Sequence, residues 1–206
     1  MEGFNWTAYV RSFHEYLPVI ASRAPWQVTS NASDIVSRLL PALSNEYETK
    51  DGIAIHKSSV IENNVTLKGP LIIGPDCFIA ANCYLRGGVF LIARNSIGPG
   101  CEIKSSFLFP DSKLAHFNFV GDSLIGEGVN FEAGAIIANH YNERADKNIY
   151  VMANGRKINT QIEKFGALIG DGCKIGANAV LSPGTILASN SSVKRLELVD
   201  QTAVNN

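Results

Sequence analysis

Apolar residues return at every sixth position over a long stretch of this chain. An α-helix repeats every 3.6 residues and an alternating strand every 2, so neither element explains the period. A second set of small or apolar residues follows four positions after the anchors, which predicts two inward side chains in each six-residue unit. The anchors are Ile55, Ile61, Leu67, Ile73, Ile79, Leu85, Leu91, Ile97, Ile103 and Phe109, and the second set is Val65, Leu71, Cys77, Cys83, Val89 and Cys101.

Residues that tolerate positive φ follow the anchors by three positions. They are Asn64, Asp76, Asn82, Gly88 and Gly100. A short strand followed by a sharp corner, repeated at a fixed period, is typical of a parallel β-helix. Three units close one coil of about 18 residues, so we predict an all-β chain of about six coils.

The period is interrupted at two places. It shortens to four residues between Ala115 and Phe119, and it disappears between His140 and Lys164. We therefore predict a β-helix domain over residues 51–195, with an inserted loop at 143–163 and a C-terminal tail at 196–206.

Residues 1–50 lack the period and are predicted to form a helical cap or linker. Asn5 is a candidate cap for a helix ending at Leu17, and Ser30 or Asn31 for a second helix that Pro41 interrupts or kinks. We expect these helices to cover the open end of the β-helix, where unpaired backbone groups would otherwise recruit another chain.

Composition and net charge argue against several classes of binding partner. The chain has 206 residues, 46% of them apolar, and a net charge of −1, so we expect neither nucleic acid nor an anionic membrane as a partner. The first residues lack the apolar stretch and cleavage site of a secretion signal, which favours the cytoplasm.

All four cysteines occupy inward positions and are predicted to be free thiols in the core. Cys83 and Cys101 stack one coil apart, so a disulfide between them is the alternative, disfavoured in a reducing compartment. We expect no metal, because the cysteines lie on different sides of the prism without a nearby histidine pair.

Two cations and one histidine are candidates for chemistry. Arg86 and Lys104 each follow an anchor and are 18 residues apart, so they are predicted to stack on one face, where a phosphate would relieve their repulsion. The alternative is a solvated face without a ligand. His116 lies at the shortened step, where a solenoid can re-aim a side chain, although a lone histidine is more often structural.

The inserted loop is basic and lacks the repeat, which suits a phosphate-bearing ligand; a solvated loop without a partner is the alternative. Its cations are Arg144, Lys147, Arg156 and Lys157.

Two stretches resemble a known family: CEIKSSFLFPDSKLAHFNFVGDSLIGEGVNFEAGAIIAN at 101–139 and KFGALIGDGCKIGANAVLSPGT at 164–185. They are similar to the acetyltransferase domain of the bifunctional N-acetylglucosamine-1-phosphate uridyltransferase and glucosamine-1-phosphate acetyltransferase. The resemblance begins near LRGG at 85–88, and APWQVTSNASDIVSRLL at 24–40 is similar to the linker of such enzymes. It implies a left-handed β-helix of hexapeptide repeats, acetyl-CoA as co-substrate, an amino-sugar phosphate as acceptor, and a homotrimer with sites between subunits. No Gly-rich nucleotide loop precedes the repeat, so uridyl transfer is not expected.

The resemblance also implies roles for particular residues. The catalytic candidates are His116 as general base, Glu102 as the carboxylate before the lysine, and Asn139, which orients the amine. The substrate-binding candidates are Arg86 and Lys104 on the phosphate, Asn130 on the sugar, Lys164 from a neighbouring subunit, and Phe119, which replaces a phosphate-contacting tyrosine. The acetyl-CoA candidates are the backbone groups of Ala133, Gly134 and Ala177. Two departures are Ala115, in place of the glycine before the histidine, and a C-terminal arginine that has no counterpart here.

The function that follows is N-acetylation of an amino-sugar phosphate. In this hypothesis His116 takes a proton from the attacking amine, and a backbone N–H near Ala133 and Gly134 stabilises the oxyanion. One alternative keeps the histidine but uses a longer acyl donor, a hydroxyl acceptor, or another sugar or nucleotide-sugar. Another is a β-helix without catalysis that serves oligomerisation or regulation. Zinc carbonic anhydrases of this fold need three histidines per metal, and four scattered histidines disfavour that reading.

Overall fold

The computed structural model describes residues 4–153 and 155–202. Its body is a parallel β-helix with three flat faces, as the six-residue period predicts. Each face is a sheet that takes one short strand from each of seven coils. The predicted count of about six was low, because the strands continue to Val199, beyond the predicted end at residue 195. The rest of the predicted tail includes residues 203–206, which lie outside the described residues.

The three faces have the following strands. The first face contains β1 (Tyr47–Lys50), β2 (Ile53–His56), β5 (Leu71–Ile73), β8 (Val89–Leu91), β11 (Phe107–Leu108), β14 (Leu124–Ile125), β19 (Ala167–Ile169) and β22 (Thr185–Leu187). The second contains β3 (Val60–Ile61), β6 (Phe78–Ile79), β9 (Ser96–Ile97), β12 (Lys113–Leu114), β15 (Asn130–Phe131), β20 (Lys174–Ile175) and β23 (Ser192–Val193). The third contains β4 (Thr66–Lys68), β7 (Tyr84–Arg86), β10 (Glu102–Lys104), β13 (Phe119–Gly121), β16 (Ile136–Ile137), β21 (Val180–Leu181) and β24 (Leu198–Val199).

The inside of the prism is a ladder of apolar side chains in which each residue stacks on its equivalent in the next coil. The five corner residues expected to have positive φ all do, between 56° and 90°. The four cysteines are free and buried in this ladder, as predicted. The sequence period thus reports the core directly, because every unit meets the same environment.

The predicted interruption between Ala115 and Phe119 was wrong. Phe90 pairs with Phe107, and Phe107 with Leu124, so two successive coils are one residue shorter than 18. The missing residue is at the corner between the third and first faces in both coils. Leu108 therefore points into the prism, whereas Phe109, predicted as an anchor, belongs to a second apolar cluster outside it.

The N-terminal segment lies along the side of the prism rather than over its end. It comprises α1 (Phe13–Tyr16), α2 (Pro25–Ser30), α3 (Ala32–Leu39) and 3-10 turns at Trp6–Ala8, Pro18–Ile20 and Leu40–Ala42. The single helix expected up to Leu17 is broken into a 3-10 turn and one short helix, while the second expected helix, which follows Asn31, is α3.

The outward side chains of the first face are apolar, and the N-terminal segment and the insertion bury them. The stack of Trp6 on Phe13 (3.6 Å between ring centroids) rests on Phe109 through Phe13 (5.8 Å). At the lower end, β1 pairs antiparallel with β2 and covers the edge of the first sheet. The free edge that the helices were expected to cover is therefore covered there by a strand.

The insertion leaves the prism at the corner between the third and first faces. It folds back as a hairpin of β17 (Tyr150–Ala153) and β18 (Arg156–Asn159), and Ile149 and Val151 are buried in the cluster on the first face. Among the described residues, no helix has the length and apolar character needed to cross a membrane.

Candidate functional site

The outer side of the third face carries the stacked cations. The register pairs Lys104 with Arg86 in the neighbouring coil, as their spacing predicts. Each cation has a carboxylate partner: the Arg86 guanidinium donates to Glu102 (2.7 and 3.0 Å), and the Lys104 ammonium donates to both oxygens of Asp122 (2.7 and 3.0 Å). The repulsion expected between the two cations is therefore relieved by protein carboxylates. An anionic ligand would therefore have to displace a carboxylate of this chain from either cation.

Asp122 was not singled out from the sequence, and it joins two residues that were. Besides binding Lys104, its carboxylate accepts a hydrogen bond from the side-chain amide of Asn139, one coil further on. The signal in the sequence was its spacing, since Asp122 follows Lys104 by one nominal coil. It was overlooked because an aspartate at a corner is usually explained by positive φ, which Asp122 also has (47°).

Gly121 keeps the space beside this carboxylate open. A Cβ on Gly121 would lie 2.8 Å from the Phe119 ring and 2.9 Å from the Asn139 amide nitrogen. The Phe119 ring and the Asn139 amide thus meet over the glycine, on the outside of the third face. We refer to Arg86, Glu102, Lys104, Asp122 and Asn139 as the third-face cluster.

Serine hydroxyls support the two shortened corners. Ser106 Oγ donates to the Lys104 carbonyl (2.7 Å) and accepts from the Ser123 N–H (3.0 Å). Ser123 Oγ repeats this pattern one coil higher, between the Gly121 carbonyl and the Ala167 N–H (2.7 and 3.0 Å). Both serines are fully buried. The hydroxyls accept from the buried N–H groups of Ser123 and Ala167, and they flank Asp122 on both sides of the corner.

His116 lies elsewhere, at the edge between the second and third faces. It belongs to a regular six-residue step from Leu114 to Val120, so its expected position at a shortened step was wrong. Its imidazole is exposed and has no hydrogen-bond partner among the described residues. The backbone carbonyl of His116 accepts from the Gly134 N–H (2.8 Å). The neighbouring Ala133 N–H has no protein acceptor in the described part of the chain, so it is the donor available to a ligand.

Ala177 stacks further along the same edge, and its N–H group is occupied. It donates to the Glu132 carboxylate (2.9 Å), which also accepts two hydrogen bonds from Arg195 (2.7 and 2.8 Å). Arg195 first, and the Ala177 N–H second, lower the pKa of Glu132 to about 2. We refer to His116, Ala133, Gly134 and Ala177 as the edge group.

The two remaining candidates, Asn130 and Lys164, lie on different parts of the molecule. Asn130 is exposed on the second face, between Lys113 and Lys174 in the neighbouring coils. Lys164 is exposed at the end of the insertion, and the next residue, Phe165, donates its N–H to the backbone carbonyl of Asn139 (3.0 Å). Within one chain, Lys164 therefore accompanies the third-face cluster, and Asn130 does not.

The basic residues of the insertion do not converge on one anion-binding site. The Arg144 guanidinium stacks on the Tyr141 ring (3.3 Å to the centroid) and pairs with Asp200 (3.3 Å), which ties the insertion to the C-terminal strand region. Arg156 and Lys157 are exposed on β18. In the described residues, no group of three or more His, Cys, Asp or Glu side chains is placed to hold a metal ion.

Comparisons with known proteins agree with the architecture. Residues 70–91 and 166–194 match the family described as the hexapeptide repeat of succinyl-transferase. The chain is 34% identical over 152 residues to a bifunctional sugar-1-phosphate nucleotidylyltransferase/acetyltransferase of Sulfurisphaera tokodaii, covering 65% of this chain and 37% of the relative. It is 32% identical over 195 residues to the bifunctional protein GlmU of Methanococcus vannielii, covering 86% of this chain and 43% of the relative. The chain thus spans less than half the length of these relatives.

Among solved structures, a hexapeptide transferase family protein from Anaplasma phagocytophilum aligns at 14% identity with a TM-score of 0.46. The alignment covers 71% of this chain and 72% of that one.

Proposed function

We propose, from its membership of the hexapeptide-repeat family, that this chain transfers an acetyl group from acetyl-CoA to the amine of an amino-sugar phosphate. The relatives support acetyl transfer on a phosphorylated sugar, since one is named for both. The observation that carries the proposal is the third-face cluster, where two cations, two carboxylates and an amide lie together on an otherwise regular face. Such a set matches a zwitterionic acceptor, which has a phosphate at one end and an amine at the other.

Each group has a defined task in this proposal. Arg86 exchanges Glu102 for the acceptor phosphate, because its planar fork binds either anion in two-point contact. His116 removes the proton as the amine attacks the thioester, the role that histidine fills most often among side chains, and the proton passes to the departing CoA sulfur. The Ala133 N–H faces the developing oxyanion. The Ala177 N–H becomes available to the pantetheine arm of acetyl-CoA only after Glu132 turns away.

A homotrimer would bring the two halves of the site together. His116 and Asp122 are six residues apart along an extended strand, at most about 20 Å, and they lie at opposite edges of the third face. The His116 side of that face is also apolar and exposed, with Phe117 at 72%, Leu196 at 79% and Leu198 at 66%. Exposed apolar patches of this kind mark contact surfaces, and copies packed there would place one chain's edge group beside another chain's third-face cluster.

The proposal is tested by incubating the protein with acetyl-CoA and a panel of amino-sugar phosphates and nucleotide-linked amino sugars, while following release of free thiol. We expect thiol release with an amino-sugar phosphate. Thiol release only with another acceptor would keep acyl transfer as the reaction and would overturn the amino-sugar phosphate as the acceptor.

The second candidate is a β-helix without catalysis, and the occupied N–H groups of Gly134 and Ala177 favour it. A thermal-shift measurement separates the two, because a ligand that binds only the folded state raises the midpoint. Absence of both thiol release and stabilisation by millimolar acetyl-CoA would decide for this candidate.

Substitution of His116 tests the proposed general base. We expect His116→Ala to lower kcat by about 100-fold or more, because the amine then lacks a proton acceptor. The matched control is His56→Ala, a histidine on the first face in the lowest coil, for which we expect unchanged turnover. A loss smaller than about threefold for His116→Ala, with the fold intact by circular dichroism, would reject the role.

A further inference from the structure

The Asp122 carboxylate is the most buried charged group of the third-face cluster. Its side chain is 7% exposed, and that of its partner Lys104 is 18% exposed. It accepts two hydrogen bonds from Lys104 and one from Asn139. A buried carboxylate is stable only when its oxygens are paired in this way, so these contacts bind three coils into one unit.

The charge of Asp122 determines which way the Asn139 amide faces. An ionised carboxylate only accepts hydrogen bonds, so the NH₂ end of the amide must point toward it. The side-chain oxygen of Asn139, Oδ1, is then the other end of the amide, and it has no donor among the described residues. An unpaired carbonyl oxygen is an acceptor for an N–H group, which the amine of an amino sugar supplies.

The same contacts pair the ammonium group of Lys104 with Asp122, so it is not available to another anion. Its ammonium is held by both oxygens of Asp122, whereas the Arg86 partner Glu102 is about a third exposed and can turn into solvent. An incoming phosphate can therefore displace Glu102 from Arg86 far more easily than Asp122 from Lys104.

The backbone holds Asp122 in this position. Its N–H donates to the Lys104 carbonyl (2.8 Å), and its carbonyl accepts from the Gly166 N–H (2.9 Å). The residue sits at the shortened corner with φ of 47°, supported by the buried hydroxyls of Ser106 and Ser123. The shortened coils therefore place this carboxylate directly between Lys104 and Asn139.

We propose that Asp122 is a positioning residue that turns the side-chain oxygen of Asn139 toward the acceptor amine and withdraws Lys104 from phosphate binding, leaving Arg86 as the phosphate ligand. This inference rests on the proposed function for its kinetic consequences. The contact with Lys104 and its chemical effect do not depend on that function.

The variant that tests it is Asp122→Asn, which keeps the shape but removes the charge that orients Asn139. We expect kcat for thiol release to fall about tenfold or more, with a smaller change in the KM of the acceptor. Asn139→Ala should cost a similar factor alone but less than about threefold in the Asp122→Asn background, because the two residues act as a unit. The control is Asp111→Asn, a corner aspartate of positive φ that pairs with exposed Arg94 on another edge, and its turnover should be unchanged.

Two further variants separate the cations. Arg86→Gln should raise the acceptor KM about tenfold, while Lys104→Gln should act mainly on kcat. If Asp122→Asn folds poorly because Lys104 is left unpaired, the double variant Asp122→Asn/Lys104→Met removes the buried charge and should remain slow. Full turnover in Asp122→Asn or in Asp122→Asn/Lys104→Met would overturn the proposal. It would also be overturned if the losses of kcat from Asp122→Asn and Asn139→Ala were independent.

A readout without catalysis distinguishes failure of this inference from failure of the proposed function. Acetic anhydride labelling followed by mass spectrometry should modify Lys104 slowly in the native protein and about tenfold faster in Asp122→Asn. Equal labelling in both proteins would overturn the assignment of Asp122. Faster labelling together with a wild type that is silent toward every acceptor would support the contact and reject only the enzymatic role.

Discussion

Burial determines the chemistry of the four cysteines. Desolvation raises the pKa of each thiol, to about 11 for Cys77 and for Cys101, because the apolar ladder disfavours a thiolate. A protonated, enclosed thiol is a weak nucleophile. These residues are therefore core residues, and no step of the proposed chemistry uses them.

The raised thiol pKa values predict a loss of stability at alkaline pH. The unfolded chain releases these protons near pH 9 and the folded chain only near 11, so their contribution is complete below pH 9 and is lost as the pH rises through 11. We expect the urea midpoint to fall over that range, and to fall less in Cys77→Ala/Cys101→Ala relative to its own value at pH 8. Rapid reaction of the native thiols with an aromatic disulfide reagent at pH 8 would contradict their burial.

At the scale of elements, the N-terminal segment and the first face stabilise each other. The Tyr9 carbonyl accepts from the Asp171 N–H (2.8 Å), and the Asp171 carboxylate accepts from the Arg11 N–H (3.0 Å). The aromatic stack that includes Phe13 covers Phe109, a residue whose side chain leaves the prism because the coil is short. The helices are thus part of the same folded unit as the coils they cover.

The contact between Phe13 and Phe109 can be measured directly. We expect Phe109→Ala to lower the free energy of unfolding by about 3 to 5 kcal/mol in urea titrations, as for other large core truncations. Phe78→Ala, on the partly exposed second face, should cost about 1 kcal/mol or less.

The double variant Phe13→Ala/Phe109→Ala tests the register. Residues in contact should show a coupling of at least about 0.5 kcal/mol. Strict additivity would contradict the contact between Phe13 and Phe109, and with it the outward orientation of Phe109 that the shortened coil produces.

At the scale of the whole molecule, the third face has a cluster of charges at one edge and an exposed histidine at the other. One chain carries both halves of the proposed site but keeps them apart. An assembly with rotational symmetry repeats the same contact at every interface, so a single joining surface completes every site.

Mixing two inactive variants tests whether the site is shared between copies. We expect His116→Ala and Asn139→Ala each to be slow, and the two refolded together at equal amounts to regain about a quarter of wild-type thiol release, since random pairing restores one interface in four. Each variant refolded alone is the control. No recovery, or a fully active monomer in sedimentation, would show that each chain works alone.

The β-helix, its positive-φ corners and its buried thiols could all be predicted from the chain. Every six-residue unit repeats the same local requirement, an inward apolar side chain followed by a permissive corner, so the pattern is visible without knowing the neighbours. The stacking of Arg86 on Lys104 follows for the same reason, because it depends only on a spacing of one coil.

The shortened coils and the partners of the charged groups could not be predicted in this way. Leu108 and Phe109 are both apolar, so a step of five or six residues fits the pattern equally well, and the choice depends on helices about a hundred residues away that cover Phe109. Asp122 likewise meets Lys104 and Asn139 only because successive coils stack at that corner. Contacts between coils depend on register and on what packs outside the prism, and neither is encoded in the local period.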